Sequence, residues 1–296
     1  MENIVTVGMT KKEWLRARHG HIGGSEIGAV LGLNKYRSAL ELYTEKTAPE
    51  PTEIDETPKM RAGKRQEQLI ADYYADVAQR EVEIDGVIRI HPQHSFASVS
   101  LDRIIVDNGD GRGPGVLEAK NTTSMYASTW ETDVPLPYYA QIQWGMLVSG
   151  YSWGAVAVQI DGWDLKITAV EADKDFQEMM LGEAREFWTN MQAGIPPAPT
   201  VKDLDAMTPK GGSVVASDDN LRACEQLLKI KAEQSALEKE EKALKDTVKL
   251  SLGESENLIR DDIIIATYRT TEVKESFRQA YRYRSLDIKK PKKAKQ

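Results

Sequence analysis

The sequence predicts an α/β domain over residues 1–200, followed by a C-terminal helical extension over 201–296. Three observations carry this. Short alternating strand patterns and helical periodicities interleave as far as residue 193. Gly194-Ile195-Pro196-Pro197-Ala198-Pro199 then breaks the chain. Beyond it the texture changes to one long Lys/Glu-rich helical pattern, 218–252. A chain of 296 residues can bury a core of this size in one or two domains.

Taken in order, Thr10-Lys11-Lys12-Glu13 is a capping box that opens a helix through Arg18. In the next stretch two glycines, Gly23 and Gly24, lead into Ser25 at a helix start, and Gly32 ends that helix. The unpaired N–H groups of such a start suit a phosphate; the alternative is that Ser25 serves only as an N-cap. Ser38-x-x-Glu41 begins a further helix, to Thr47. Residues 49–58 are acidic and contain proline, as an exposed connection would be. A long helix follows from Pro58 to Gln79 with Met60, Gly63, Glu67, Ile70 and Tyr74 near one face. Glu67 is then either a surface or salt-bridged carboxylate or, if its face looks onto the strand bearing Asp102, part of a site.

Residues 81–90 alternate as strand. His91-x-x-His94 spans a proline turn and has no third soft ligand nearby, so no zinc site is expected. The stretch 98–121 is the centre of the sequence. Residues 99–106 read as a strand, 108–115 as a turn with four glycines and a proline, and 116–120 as a returning strand. Strand side chains alternate faces, so Glu118 and Lys120 share one side and Ala119 takes the other. Pairing as a hairpin brings Asp102 to the side of Glu118 and Lys120. Two carboxylates converging beside an ammonium suit a divalent metal and a phosphodiester. Four other acid-x-Lys triplets occur, at Asp164, Glu240, Glu272 and Asp287, so the setting matters more than the triplet.

Residues 124–137 are loop-like, with Tyr126 and Trp130. Residues 137–148 form an apolar helix whose polar exceptions are Gln141 and Gln143. A buried glutamine must find partners, so Gln141 is a structural bridge or a group supporting the site. Two strands, 153–159 and 164–170, turn at Asp161-Gly162, and an amphipathic helix covers 172–193. In the extension, Leu221, Cys224, Leu228, Ala232, Ala236, Ala243 and Val248 form a loose stripe suited to packing on the body or a partner subunit. A small hairpin over 259–270 turns at Asp261-Asp262. Residues 277–283 interleave aromatics with arginines, which serves equally for stacking on nucleic acid or for docking the tail.

Composition narrows the function classes. No apolar run approaches the ~20 residues of a membrane span, and no signal-peptide core stands at the N-terminus, so a cytoplasmic protein is expected. The single cysteine, Cys224, rules out an internal disulfide, a Cys-based zinc site and a four-Cys cluster. Net charge is −7, yet residues 274–296 carry +7, leaving −14 on the rest. An acidic body with a basic tail fits a metal-dependent enzyme that touches DNA locally, and also fits a solubilising tail.

Arg18, Gly23-Gly24-Ser25-Glu26-Ile27-Gly28, Gly63-x-x-x-Glu67, Asp102, Glu118-Ala119-Lys120 and Tyr139-Ala140-Gln141-Ile142-Gln143-Trp144 occur in that order. Together they resemble the YqaJ-type viral recombinases, the family that includes the phage lambda exonuclease, over residues 18–170. The resemblance implies a restriction-endonuclease-like (PD-(D/E)xK) core with a mixed central β-sheet flanked by helices. It implies a Mg²⁺-dependent 5′→3′ exonuclease acting on linear double-stranded DNA in a bacterial host, encoded by phage or prophage. It further implies a homotrimeric ring and a single-strand annealing protein as partner. Carried over, Asp102, Glu118 and the Ala119 carbonyl are metal ligands, and Glu67 acts near a second metal. Lys120 orients or activates the attacking water, Gln141 lies close by, and Arg18 with Ser25 grips the 5′-phosphate. Leu101 replaces the proline of the motif's name. Hard carboxylate oxygens select Mg²⁺, with Mn²⁺ able to substitute, and a pair of ions suits phosphodiester hydrolysis. The competing expectations are an endonuclease of restriction or repair type and a non-catalytic DNA-end-binding scaffold.

Overall fold

The structure, a computed structural model, describes residues 3–53, 55–208 and 211–269. It divides into two compact units, residues 1–204 and 205–296. The aromatic and basic stretch expected at 277–283 lies outside the described residues.

The first unit begins with β1 (Ile4–Val5) and α1 (Lys11–His19), the latter opened by the Thr10–Glu13 capping box. Next come α2 (Gly24–Val30) and α3 (Ala39–Lys46), α3 starting at the Ser38–Glu41 box. In α2 the N-cap is Gly23, and Ser25 falls at the second helical position. The long helix α4 (Pro58–Ala78) starts with proline in its first turn, where the missing N–H costs nothing. Short strands β2 (Val82–Glu83), β3 (Val87–Ile90), β4 (Ser98–Val99) and β5 (Arg103–Ile105) precede β6 (Gly115–Thr122). A 3₁₀ segment at Ser124–Trp130 occupies what the sequence read as loop. Then follow α5 (Leu136–Ser149), β7 (Trp153–Ile160), β8 (Asp164–Glu171) and α6 (Lys174–Gln192). A short α7 (Val201–Ala206), not anticipated, follows the proline break.

The main sheet has the order β2-β5-β6-β7-β8. β5 runs antiparallel to β6, β6 parallel to β7, and β7 antiparallel to β8, so the sheet is mixed as expected. The β6–α5–β7 crossover supplies the parallel pair, which no tight turn could join. Alternation assigns the two faces. Leu117, Ala155 and Ala157 pack with Ile70, Ala71 and Tyr74 of α4. On the other face Val116, Val156 and Val158 pack with Ile142 and Met146 of α5. Helix α5 is covered in turn by α2 and α6, through Ile27, Trp144, Met180 and Phe187. Being enclosed on both sides explains its near-continuous apolar sequence. A smaller sheet, β1-β3-β4, stands beside this core.

In the second unit, α8 (Asp218–Leu252) is capped by Ser217, whose hydroxyl accepts the Asn220 N–H at 3.2 Å. Strands β9 (Asn257–Arg260) and β10 (Ile263–Thr267) form the expected hairpin. Its turn residues Asp261 and Asp262 both have positive φ, 49° and 63°, as a two-residue hairpin turn demands. Cys224 stands exposed on α8. Among the described residues no helix is long and apolar enough to cross a membrane.

Candidate active site

The β5–β6 hairpin builds the site. Arg103 pairs with Leu117 and Ile105 with Gly115, which leaves Asp102 just ahead of the paired stretch. Its Oδ2 accepts the main-chain N–H of Ala119 at 2.9 Å. The N–H and C=O of one strand residue face the same neighbour, so the Ala119 carbonyl also points to the side where Asp102 stands.

Glu118 and Lys120 share the α5 face, as alternation requires. The Lys120 ammonium is paired with Glu118 Oε1 and donates to Gln141 Oε1 at 3.1 Å. It also lies 5.1 Å from the centre of the Tyr138 ring. Gln141 is therefore the glutamine that reaches the site. Gln143 is fully buried and structural: its amide donates to the Glu171 carbonyl at 2.8 Å, and its oxygen accepts from the Asp173 N–H at 3.0 Å.

Glu67 arrives from α4, on the opposite face of the sheet. Its Oε1 accepts from the Arg103 guanidinium at 2.8 Å. Arg103 is buried and also donates to Gln68 Oε1 at 2.7 Å and to the Asp102 carbonyl. Sequence reasoning passed over Arg103; the signal available was a cation directly after the candidate aspartate.

The electrostatics are those of crowded carboxylates. Burial and then the nearby Asp102 charge push the Glu118 carboxyl up to about 7, against the pull of Lys120. Burial and Asp102 likewise raise Glu67. Burial alone would lower Lys120, but Glu118 and Asp102 overcome it and hold the ammonium form.

Among the described residues no three His, Cys, Asp or Glu side chains are gathered as closely as a metal's ligand shell. Each acid here is instead drawn to a protein donor: Glu118 to Lys120, Glu67 to Arg103 and Asp102 to the Ala119 N–H. Those bonds engage one oxygen of each carboxylate. The donor set is entirely hard oxygen, and the mutual repulsion of its acids is what a bound cation relieves, so the residues fit Mg²⁺.

Arg18 and Ser25 are also brought together. The Arg18 guanidinium donates to Ser25 Oγ at 3.0 Å and lies 4.4 Å from the Trp14 ring centre. The start of α2 rests on α5: a Cβ at Gly24 would stand 3.7 Å from Gln141 Cγ, in ordinary van der Waals contact. Gln141, which accepts from Lys120, therefore lies beside Gly24, the residue before Ser25. Beneath Arg18 lies a buried ion pair that sequence reasoning missed. Glu26 caps the Gly23 N–H at 2.8 Å and pairs with Lys46 at 2.9 Å, and Lys46 donates to the Arg18 carbonyl at 3.0 Å. The glutamate at the third helical position was the available cue.

His91 and His94 stack on each other, ring centres 4.8 Å apart, and burial lowers the pKa of both. Of the rival triplets, Asp164-x-Lys166 lies on β8, where Lys166 is tied to the main-chain carbonyls of Trp130 and Glu131.

The fold is a mixed central sheet with helices on both faces, with two acids and a lysine brought together at its central hairpin. Residues 13–152 match the model of the YqaJ-like viral recombinase domain, the family that the sequence resembles. The YqaJ protein of Bacillus subtilis strain 168 is 27% identical over 260 residues, spanning 84% of this chain and 80% of its own. The fold is shared with the alkaline exonuclease LHK-Exo of Laribacter hongkongensis, at TM-score 0.52 and 22% identity, covering 62% of this chain and 94% of that one. The structure of LHK-Exo with dAMP gives TM-score 0.53 at 21% identity, with the same coverage.

Proposed function

We propose that the chain is a Mg²⁺-dependent 5′→3′ exonuclease that digests one strand of linear double-stranded DNA. The 3′ single-stranded tails it leaves would be taken up by a single-strand annealing protein, with the enzyme acting as a homotrimeric ring. The observation that carries this reading is the Asp102–Glu118–Lys120 constellation on one hairpin, with Gln141 holding the lysine. The names of the matched family and of LHK-Exo support recombination-linked exonuclease chemistry.

In this reading Asp102, Glu118 and the Ala119 carbonyl would hold one Mg²⁺, and Glu67 would serve a second. Bound there, such ions would supply water activation and neutralisation of charge on the leaving 3′-oxygen. Lys120 stays an ammonium between Glu118 and Gln141, orienting the attacking water and stabilising charge on the phosphoryl oxygens. Gln141 fixes the direction of that ammonium. Arg18 and Ser25 hold a 5′-terminal phosphate through charge-assisted bonds, setting which end enters.

The test is digestion of blunt linear duplex labelled at either end across a Mg²⁺ titration, beside a closed circular plasmid. Mg²⁺-dependent loss of the 5′ label with the plasmid intact is expected. Nicking of the plasmid indicates an endonuclease, and an undegraded linear duplex indicates an end-binding scaffold.

A further inference from the structure

Two tyrosines stand exposed beside the site and take no part in the chemistry above. Tyr36, in the turn before α3, is 70% exposed, and Tyr126, in the 3₁₀ segment after β6, is 46% exposed. Between them lies one ammonium: Lys35 Nζ is 5.0 Å from the Tyr36 ring centre and 5.6 Å from that of Tyr126. The two rings therefore share one small patch although they are far apart in sequence.

The 3₁₀ segment that carries Tyr126 ends at Trp130, which packs against Tyr138 of the active site. Tyr36 most strongly, and Tyr126 and Tyr138 less so, raise the pKa of Lys35. Tyr138 is also the ring that lies over Lys120 and stacks on Trp130 with centres 5.0 Å apart.

Both tyrosines are presented by fixed backbone. Asn34 Oδ1 accepts the Tyr36 N–H at 2.8 Å, and the Tyr36 carbonyl accepts from Lys202 Nζ at 2.5 Å. The Tyr126 N–H donates to the Thr123 carbonyl at 2.9 Å, and its carbonyl accepts from Thr129 Oγ1 at 2.6 Å. Exposed rings presented on ordered backbone, with a cation over one face of each, match what an unpaired base and its phosphate require. The charge argues for DNA over an apolar partner, because an ammonium at the centre of the patch resists dry burial but welcomes a phosphate.

We propose that Tyr36 and Tyr126 form a stacking platform for an unpaired nucleobase of the DNA strand entering the site, with Lys35 on the adjoining phosphate. This deepens the nuclease reading and rests on it.

The experiment uses the full chain and a linear duplex carrying 2-aminopurine at the 5′-terminal position, with EDTA present to prevent cleavage. Binding to the wild type is expected to quench the 2-aminopurine signal. Tyr36→Leu and Tyr126→Leu are each expected to lose most of that quench and to weaken Kd about tenfold, the scale of one base–aromatic stack. Tyr36→Phe and Tyr126→Phe should restore both. Circular dichroism on each variant confirms the fold, which exposed rings do not hold together. Quenching and Kd unchanged in the leucine variants overturn the platform, as do phenylalanine variants no better than leucine. If the wild type neither binds nor, with Mg²⁺, degrades linear duplex, the nuclease reading falls and the platform with it. Degradation by wild type and leucine variants alike, with equal quenching, removes the platform alone.

Discussion

Asp102 Oδ2 accepts the N–H of Ala119 at 2.9 Å, so the acid before β5 is fastened to the strand that carries Glu118 and Lys120. A loop carboxylate is thereby given the positional precision of a sheet. The bond lies on the side of β6 where β5 has ended, so it satisfies an N–H that the ladder leaves unpaired. Folding and site assembly are coupled at this point.

Removing the lysine should separate chemistry from folding. Lys120→Ala is expected to reduce digestion of linear duplex by roughly 10²–10³-fold, the loss typical of one preorganised charge-stabilising donor. Gln141→Ala frees one anchor of the same ammonium and should cost about 10–100-fold, as supporting-residue changes do. Both variants should keep the wild-type circular dichroism. Full Mg²⁺-dependent activity in purified Lys120→Ala would end the assignment.

Metal binding can be read without catalysis. Mg²⁺ or Mn²⁺ should raise the melting temperature of the wild type, because a ligand of the native state stabilises it by mass action. Asp102→Asn and Glu118→Gln should abolish most of that rise. An equal rise in these variants would place the ion elsewhere.

The pH dependence follows from Glu118, whose carboxyl is held up to about 7 by burial and by Asp102. Below that pH the group is protonated and cannot hold a cation, so activity at limiting Mg²⁺ should fall as pH drops through about 7. Proton and cation compete for the same oxygens; saturating Mg²⁺ should therefore move the falling limb to lower pH. The sign for stability is opposite. A carboxyl raised above its ordinary 4.5 favours the native state at low pH, and that contribution is lost as pH rises through about 7. A rate profile independent of Mg²⁺ concentration would contradict the competition.

End recognition rests on Arg18 and Ser25, joined at 3.0 Å. Duplexes with a 5′-phosphate should be digested faster than 5′-OH duplexes, and Arg18→Ala should bring the two rates together. Equal rates in the wild type would remove this pair from the reading.

Much of the fold was legible in the sequence because it is encoded at short range. Both capping boxes, at Thr10 and Ser38, require only a three-residue spacing. The hairpin followed from its turn residues, and period-two alternation put Glu118 and Lys120 on one face. On helix α5 the apolar pattern did not by itself separate Gln141 from Gln143; it was the motif around Gln141 that pointed to the site. On a helix buried on both sides, facing is decided by what packs against it.

What the sequence alone determined is the local grammar: helix starts, strand faces, and the order in which the acids and the lysine appear. Only the tertiary structure decided which charges meet. Arg103 bonds Glu67 from 36 residues away, and Lys46 lies buried against Glu26 beneath Arg18. Such pairs have no periodic signature. They form because packing α4 and α3 onto the rest of the unit desolvates these groups, and a desolvated charge must take whichever opposite partner the fold places within reach.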